Sequence, residues 1–203
     1  TNRFIALLPF HLSLLYHRHM NTNLEIEYKT LLTKEEYDRV LAYFRNAKIV
    51  KQTNYYYQSK NRLNKKIAAR IRQIDQNFEL TFKIKQKKGK LEVNFEVPNN
   101  SVDHFKRPDV LEFLLSHNYT DDWNYIGELH TTRHVIQDIY GEICIDYNQY
   151  LDIEDYELEY EVNNEFEQLA FARYLDLLKQ FSIQNNKAKA KFHRFVITKF
   201  DLD

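Results

Sequence analysis

The sequence is poor in the residues that cross-link or break a chain. Its 203 residues include one cysteine, three glycines and three prolines. A single cysteine, Cys144, excludes an internal disulfide and fits a reducing compartment, so we expect a cytoplasmic protein. The 15 tyrosines and 14 phenylalanines are many by comparison, and they predict strands rich in aromatic residues.

Net charge and the common phosphate-binding motifs are also missing. Lysine plus arginine equals aspartate plus glutamate at 29 each, so no bulk charge indicates nucleic acid as a partner. Neither G-x-x-x-x-G-K-[ST] nor G-x-G-x-x-G is present, which excludes a P-loop and a Rossmann phosphate site. The eight histidines show no metal-ligand spacing. Any electrostatic function must therefore come from the local arrangement of charges.

The first 19 residues differ from the rest of the chain. Phe4–Tyr16 is apolar, but it lacks a small-residue cleavage site and is too short for a membrane-spanning helix. The only methionine, Met20, stands directly before the first clear strand pattern. We expect residues 1–19 to be a non-native or disordered extension, residues 20–203 to form a single domain, and the membrane to play no part.

The stretch Leu24–Lys29 alternates apolar and charged residues, which is the period of a strand with two different faces. Glu25, Glu27 and Lys29 share one face. Two carboxylates about 7 Å apart, followed by an ammonium, could hold a divalent cation beside a phosphate. Taken alone, the stretch also fits a solvated edge strand.

Repetition of this alternation favours the functional interpretation. Further strands are predicted at 52–58, 68–72, 79–86, 91–97, 124–140, 142–147, 155–162 and 192–200. Amphipathic helices are predicted at 34–46, 101–117 and 165–181. The charged or polar face carries Arg70 and Arg72, then Thr81, Lys83 and Lys85, then Glu92 and Glu96, and finally Glu157, Glu159 and Glu161.

About eight strands with few crossovers predict an α+β fold: a closed eight-stranded antiparallel β-barrel, or tunnel, covered by a few helices. Charged faces that point outward would leave the helices' apolar stripes without a partner, so we expect them to point inward. Each uncompensated buried ion costs several kcal/mol, so the channel must be wet, pair its charges or hold charged ligands. Carboxylates favour Mg²⁺ or Mn²⁺, and clustered lysines and arginines suit a chain of phosphates.

The ordered set of motifs resembles the CYTH superfamily of triphosphate tunnel metalloenzymes, in particular its small bacterial single-domain members. The matching positions are E-x-E-x-K at Glu25, Glu27 and Lys29, R-x-R at Arg70 and Arg72, T-x-K at Thr81 and Lys83, E-x-x-x-E at Glu92 and Glu96, then Arg133, Asp146, Glu157, Glu159, and K-x-x-R-F at Lys191 to Phe195.

This resemblance implies a tunnel that hydrolyses a triphosphate (inorganic tripolyphosphate, thiamine triphosphate or a nucleoside triphosphate) with Mg²⁺ or Mn²⁺. It assigns metal binding to Glu25, Glu27, Asp146, Glu157 and Glu159. It assigns substrate binding to Lys29, Arg70, Arg72, Lys83, Lys85, Arg133, Lys191 and Arg194, with Lys29, Arg70 and Lys83 as the catalytic candidates. No general base is named, although Tyr55 and Tyr57 are candidates.

One departure keeps other functions open. The second strand reads Tyr56-Tyr57-Gln58-Ser59, without the aspartate that many relatives carry there. An adenylate cyclase that makes cyclic AMP and pyrophosphate, and a non-catalytic triphosphate or polyphosphate sensor, therefore remain alternatives. An RNA-cap triphosphatase is not favoured because no basic arm is present. A homodimer is left open.

Overall fold

The structure is a computed structural model that describes residues 20–60, 67–119, 122–186 and 188–202. The predicted extension over residues 1–19 lies outside the described residues. Within these ranges there are nine strands: β1 Met20–Glu25, β2 Glu27–Leu32, β3 Lys48–Ser59, β4 Ile67–Ile74, β5 Asn77–Lys85, β6 Lys90–Val97, β7 Trp123–Asp138, β8 Gly141–Tyr150 and β9 Ile153–Val162.

All strand pairs are antiparallel, and the sheet order is β1-β6-β5-β4-β3-β7-β8-β9-β2. The two ends of this order are consecutive parts of one extended segment, which is interrupted only at Ile26. Its first part pairs with β6 and its second part with β9, and Val162 N–H donates to the Ile26 carbonyl at 2.9 Å. The curled sheet therefore meets itself along this segment, which confirms the predicted antiparallel tunnel. The strand count differs from eight only because the first strand is divided at Ile26.

Four α-helices accompany the sheet in the described ranges: α1 Lys34–Tyr43, α2 Pro108–Ser116, α3 Glu167–Gln180 and α4 Lys191–Phe200. A capping box starts α1, since Glu36 N–H donates to Thr33 Oγ1 while Glu36 Oε2 accepts from Thr33 N–H. Short 3₁₀ turns at Val102–Lys106 and Asn164–Phe166 precede α2 and α3. Among the residues described, none of the helices has the length and apolar character needed to cross a membrane.

Helices α1, α2 and α3 cover the apolar outer face of the sheet. Helices α1 and α3 pack on β2, β8 and β9 through a cluster that includes Val40, Tyr174 and Leu158. Helix α2 and the 3₁₀ turn before it pack on β4, β5 and β6 through a second cluster around Phe82 and Phe105. Because the apolar positions of each strand are used in this way, the alternate, charged positions are left to face the interior.

The prediction of a final strand at 192–200 is wrong, because this segment is helix α4. The fully buried Phe195 packs on Tyr56, Leu129 and Tyr150, while the partly buried Phe192 and Val196 lie beside them. This 3–4 residue spacing of apolar contacts is helical. The first turn of α4 also forms part of the wall of the interior cavity.

Candidate active site

The charged faces of the strands surround one interior cavity of about 520 Å³. Glu27, Arg70 and Glu159 come from distant parts of the sequence and all line it, as the inward arrangement requires. The predicted site residues on its wall are Glu25, Glu27, Lys29, Arg70, Arg72, Lys83, Lys85, Arg133, Glu159 and Lys191.

Three of the predicted metal ligands form a buried carboxylate triad of Asp146, Glu157 and Glu159. Asp146 is directly opposite Glu157 in the β8–β9 ladder, and Glu159 follows two residues later on the same face. One ligand oxygen from each lies within 4.8 Å of the others. Asp146 and Glu157 are completely buried and Glu159 is 3% exposed. Hard oxygen donors at this spacing fit a divalent cation such as Mg²⁺ or Mn²⁺.

Cationic side chains surround the triad. Lys191 Nζ lies 2.9 Å from Asp146 Oδ2, 2.7 Å from Glu157 Oε2 and 2.8 Å from Glu159 Oε1. Arg133 donates to both oxygens of Asp146, at 2.9 and 2.7 Å, and also to Glu159. The charges of the carboxylates are therefore balanced by groups that the fold itself supplies, which a buried cluster requires.

This arrangement shifts the protonation equilibria of the site. Burial pushes the pKa of Glu159 upward, but Lys191, Lys29 and Arg133 together hold that pKa well below its usual range. Burial likewise lowers the pKa of Lys191, while Asp146, Glu157 and Glu159 raise this pKa well above its usual value overall. At neutral pH the carboxylate and the ammonium are both charged.

The other two predicted metal ligands, Glu25 and Glu27, are not part of the triad. Lys29 Nζ connects Glu27 to it, at 2.7 Å from Glu27 Oε1 and 3.1 Å from Glu159 Oε1. Glu25 pairs with Lys83 at 2.6 Å and with Lys90 at 3.4 Å. The structure therefore places Glu25 and Glu27 beside the triad, with the Lys29 ammonium between Glu27 and Glu159.

Strands β4 and β5 provide the basic wall through Arg70, Arg72 and Lys83. Lys83 is paired with Glu92 at 2.6 Å, whereas Arg70 approaches that carboxylate only to 3.7 Å. Arg72 has no carboxylate within ion-pair distance among the described residues, and its Nε donates to the neutral Asn54 Oδ1 at 3.0 Å. Asn54 is 1% exposed.

The two arginines are incompletely compensated. Burial, followed by the neighbouring Arg70 and Arg133, lowers the pKa of Arg72 to about 10, so it remains charged at neutral pH. Arg70 Nε is buried without a hydrogen-bond partner within the described part of the chain. Guanidinium groups that face a cavity and still have unused N–H donors form a site for an anion that accepts several hydrogen bonds.

Arg194, which the resemblance assigned to the substrate, does not line the cavity. Its guanidinium lies behind the triad and donates to Asp155 at 3.0 and 3.1 Å and to Glu157 at 3.3 and 3.0 Å. It therefore orients Glu157. The residue is three positions from Lys191 on α4, so the two point to the same side of a helix, which the strand prediction could not show.

The tyrosines considered as general bases point away from the cavity. Tyr57 OH donates to the Asn100 carbonyl and Tyr55 OH donates to Gln73 Oε1 at 2.9 Å. Tyr56, between them, lines the cavity instead. Lys90 was also missed, although it alternates with Glu92, and its Nζ is 2.5 Å from Glu27 Oε1.

Comparison with known proteins identifies the family. The model of the CYTH domain matches residues 23–195, so the chain belongs to the CYTH domain family. The chain is 33% identical over 192 residues to "Putative triphosphatase YjbK" of Bacillus subtilis (strain 168), and the match covers 87% of this chain and 96% of that protein.

Solved structures agree with the fold. A Bacillus halodurans protein described as "putative adenylate cyclase" superimposes with a TM-score of 0.76 at 30% identity, over 86% of this chain and 98% of its own. HpAC1 from Hippeastrum, for which a dominant triphosphatase activity is reported, gives a TM-score of 0.69 at 19% identity, over 87% of this chain and 97% of its own.

The interior carboxylates predict how stability depends on pH. Lysine and arginine neighbours outweigh burial and lower the pKa of Glu25, Glu27, Glu92, Asp146 and Glu159. A lowered pKa contributes stability above the unfolded pKa, and this stability is lost as the pH falls through the folded pKa. We expect the urea midpoint to change little between about pH 7 and about pH 5 and to fall steeply below about pH 4. A midpoint that stays constant through that lower range would contradict this charge pairing.

Asn54 predicts a second effect, because its neutral oxygen orients Arg72 without cancelling the charge. Asn54→Asp keeps the acceptor but adds a negative charge beside the guanidinium. We expect it to weaken tripolyphosphate binding about tenfold or more, measured by calorimetry. The matched control is Asn124→Asp, which makes the same charge change on the exposed end of β7 and should leave binding unchanged. Equal binding by both variants would mean that Arg72 does not contact the anion.

Proposed function

We propose that this protein is a metal-dependent triphosphatase that hydrolyses a terminal phosphoanhydride bond inside the charged cavity. One observation carries the proposal: the cavity lined by Arg70 and Arg72 is also lined by Glu159, one member of a buried carboxylate triad whose other members, Asp146 and Glu157, do not line it. Membership of the CYTH family and the similarity to YjbK support it.

The basic wall binds the phosphate chain. Arg70 and Arg72 offer forked donors to non-bridging oxygens, while Lys83 on the adjacent strand β5 and Arg133 on β7 add positive charge. Holding the chain in one orientation converts the attack of water into a nearly intramolecular step. The same cations stabilise the charge that develops on the transferred phosphoryl group.

The acidic wall holds the metal. Asp146, Glu157 and Glu159 are the ligand set, and Glu27, joined to them through Lys29, is the adjacent carboxylate. A divalent ion bound there would neutralise phosphate charge and supply an activated water. Arg194 fixes the orientation of Glu157, and Arg133 that of Asp146, each by a two-pronged hydrogen bond.

The proposal also covers the substrate, the cofactor, the location and the oligomeric state. The substrate is a small triphosphate, the cofactor is Mg²⁺ or Mn²⁺, and the protein is located in the cytoplasm. A homodimer is compatible with this substrate, cofactor and location.

A panel of tripolyphosphate, thiamine triphosphate and ATP, each with Mg²⁺ and with Mn²⁺, tests the function when products are resolved by chromatography. The proposal expects orthophosphate with at least one substrate. Cyclic AMP with pyrophosphate would show a cyclase instead. Tight binding without any product would show a sensor.

A further inference from the structure

All six oxygens of the carboxylate triad are already engaged by cationic side chains. Arg133 contacts both oxygens of Asp146 and one of Glu159. Arg194 contacts both oxygens of Glu157, and Lys29 contacts the remaining oxygen of Glu159. A carboxylate oxygen has two lone pairs, and Lys191 makes a second contact to three of these six oxygens. A divalent cation can therefore bind those three oxygens only if one of their two cationic partners gives up its contacts.

Lys191 is the cation whose place the metal would take. Its Nζ reaches one oxygen of every member of the triad, within 2.9 Å in each case. Those contacts use Asp146 Oδ2, Glu157 Oε2 and Glu159 Oε1, so the ammonium and a metal ion compete for the same electron pairs.

The neighbouring arginines are less able to leave. Arg133 and Arg194 each bind a carboxylate through two donors of the planar guanidinium. Either arginine can therefore leave its carboxylate only by breaking two hydrogen bonds. Lysine carries a point charge on a flexible four-carbon stem, so it can exchange one anionic partner for another with little rearrangement.

The cavity offers Lys191 a second anionic partner. The side chain lies on the cavity wall together with Arg70 and Arg72. Within the described residues, Arg70 Nε has no hydrogen-bond partner and Arg72 has no carboxylate partner, so both guanidinium groups can bind phosphate oxygens. An ammonium displaced from the triad remains within the same cavity as a bound triphosphate.

We infer that Lys191 is an exchangeable internal cation that occupies the carboxylate triad until metal and triphosphate arrive together. The metal takes over the triad, and the released ammonium passes to the phosphates. Because each ligand removes a cost from the binding of the other, metal and triphosphate bind cooperatively through Lys191. This inference rests on the proposed function for the identity of the anion.

Such coupling is reciprocal and typically changes affinity by about 5- to 150-fold. Without triphosphate, the ammonium should keep metal affinity low. Removal of the ammonium should therefore strengthen the binding of metal alone, although it should weaken the cooperativity between metal and triphosphate. A side chain that only supports the fold, or only contacts phosphate, would not strengthen metal binding.

The test measures Mn²⁺ binding to the full chain without any triphosphate, by calorimetry and by electron paramagnetic resonance. Lys191→Met should bind Mn²⁺ about tenfold more tightly than the wild type. Lys199→Met, which removes an exposed ammonium from the same helix, should bind it as the wild type does. A second measurement compares tripolyphosphate binding with Mn²⁺ and with a metal chelator. The loss of affinity in Lys191→Met should be smaller with the chelator, because the wild-type ammonium is then held by the triad, and an equal loss in both conditions would contradict the exchange.

Unchanged or weaker Mn²⁺ binding by Lys191→Met would overturn the inference. Lys191→Gln and thermal unfolding with and without Mn²⁺ guard against a folding defect, and stabilisation by Mn²⁺ should be larger in both variants than in the wild type. If both variants stayed unfolded at saturating Mn²⁺, the metal could not replace the ammonium and the exchange would be rejected. A wild type that hydrolyses no triphosphate, yet shows this Mn²⁺ response, would remove the proposed function and leave the exchange in place.

Discussion

Arg72→Gln is expected to weaken tripolyphosphate binding about 100-fold while making the folded protein more stable. The affinity falls because the variant loses charge-assisted hydrogen bonds, each worth about 1.5–3 kcal/mol. The stability rises because the guanidinium has no carboxylate partner in the described part of the chain. Glutamine can still donate to Asn54 Oδ1, so the hydrogen bond is retained. We expect a gain of about 1 kcal/mol, since the wet cavity reduces the cost of the buried charge.

Calorimetry for binding and urea unfolding for stability would measure these opposite effects on the same samples. The matched control is Arg107→Gln, which removes a guanidinium that is fully paired with Asp109 and that also donates to the Glu96 carbonyl at 2.7 Å. It should lose stability and keep its affinity. If Arg72→Gln bound tripolyphosphate as tightly as the wild type, the arginine pair would not be the anion site.

Glu159→Gln is expected to lower metal-dependent kcat/KM by about 1,000-fold or more. Glu159 belongs to the buried triad and also lines the cavity, so it is placed to hold a metal beside the substrate. The charge stabilisation that a metal supplies is worth several kcal/mol, and each 1.36 kcal/mol is tenfold in rate. Glutamine has the same shape but provides a poorer ligand for a hard cation.

The variant should also be less stable by about 3 kcal/mol, because Lys29, Lys191 and Arg133 lose a shared carboxylate. Activity must therefore be compared at a temperature where circular dichroism shows the variant to be folded. Glu154→Gln, on the exposed end of the same strand, is the control and should retain full activity. Wild-type activity in a folded Glu159→Gln would remove Glu159 from the metal site.

The strands could be predicted because one-by-one alternation assigns each side chain to a face. Glu27, Arg70 and Glu159 were placed in the interior on this basis, and all three line the cavity. The alternation says nothing, however, about which cation meets which anion across the barrel. That depends on register and on the closure along Ile26, so the position of Lys191 on the triad could not be predicted.

Helix α4 was mispredicted because two periods overlap at the end of the chain. Lys189 and Lys191 continue an alternating pattern typical of a strand, whereas Phe192, Phe195 and Val196 follow the helical spacing. Burial of Phe195 decides between the two. No pattern in the sequence indicated a role for Asn54, because its role is to be an uncharged hydrogen-bond partner of Arg72, and this contact follows only from the fold.

The division of the first strand between two neighbours has a consequence for how the protein is made. Lys29 on β2 pairs in register with Glu159 on β9, so this part of the wall can form only after both strands have been synthesised. Contacts so far apart along a chain form slowly, since a long loop must close before they gain anything. The N-terminal segment can therefore pair on both sides only after β9 has formed, and the wall of the cavity is complete only when α4 supplies Lys191.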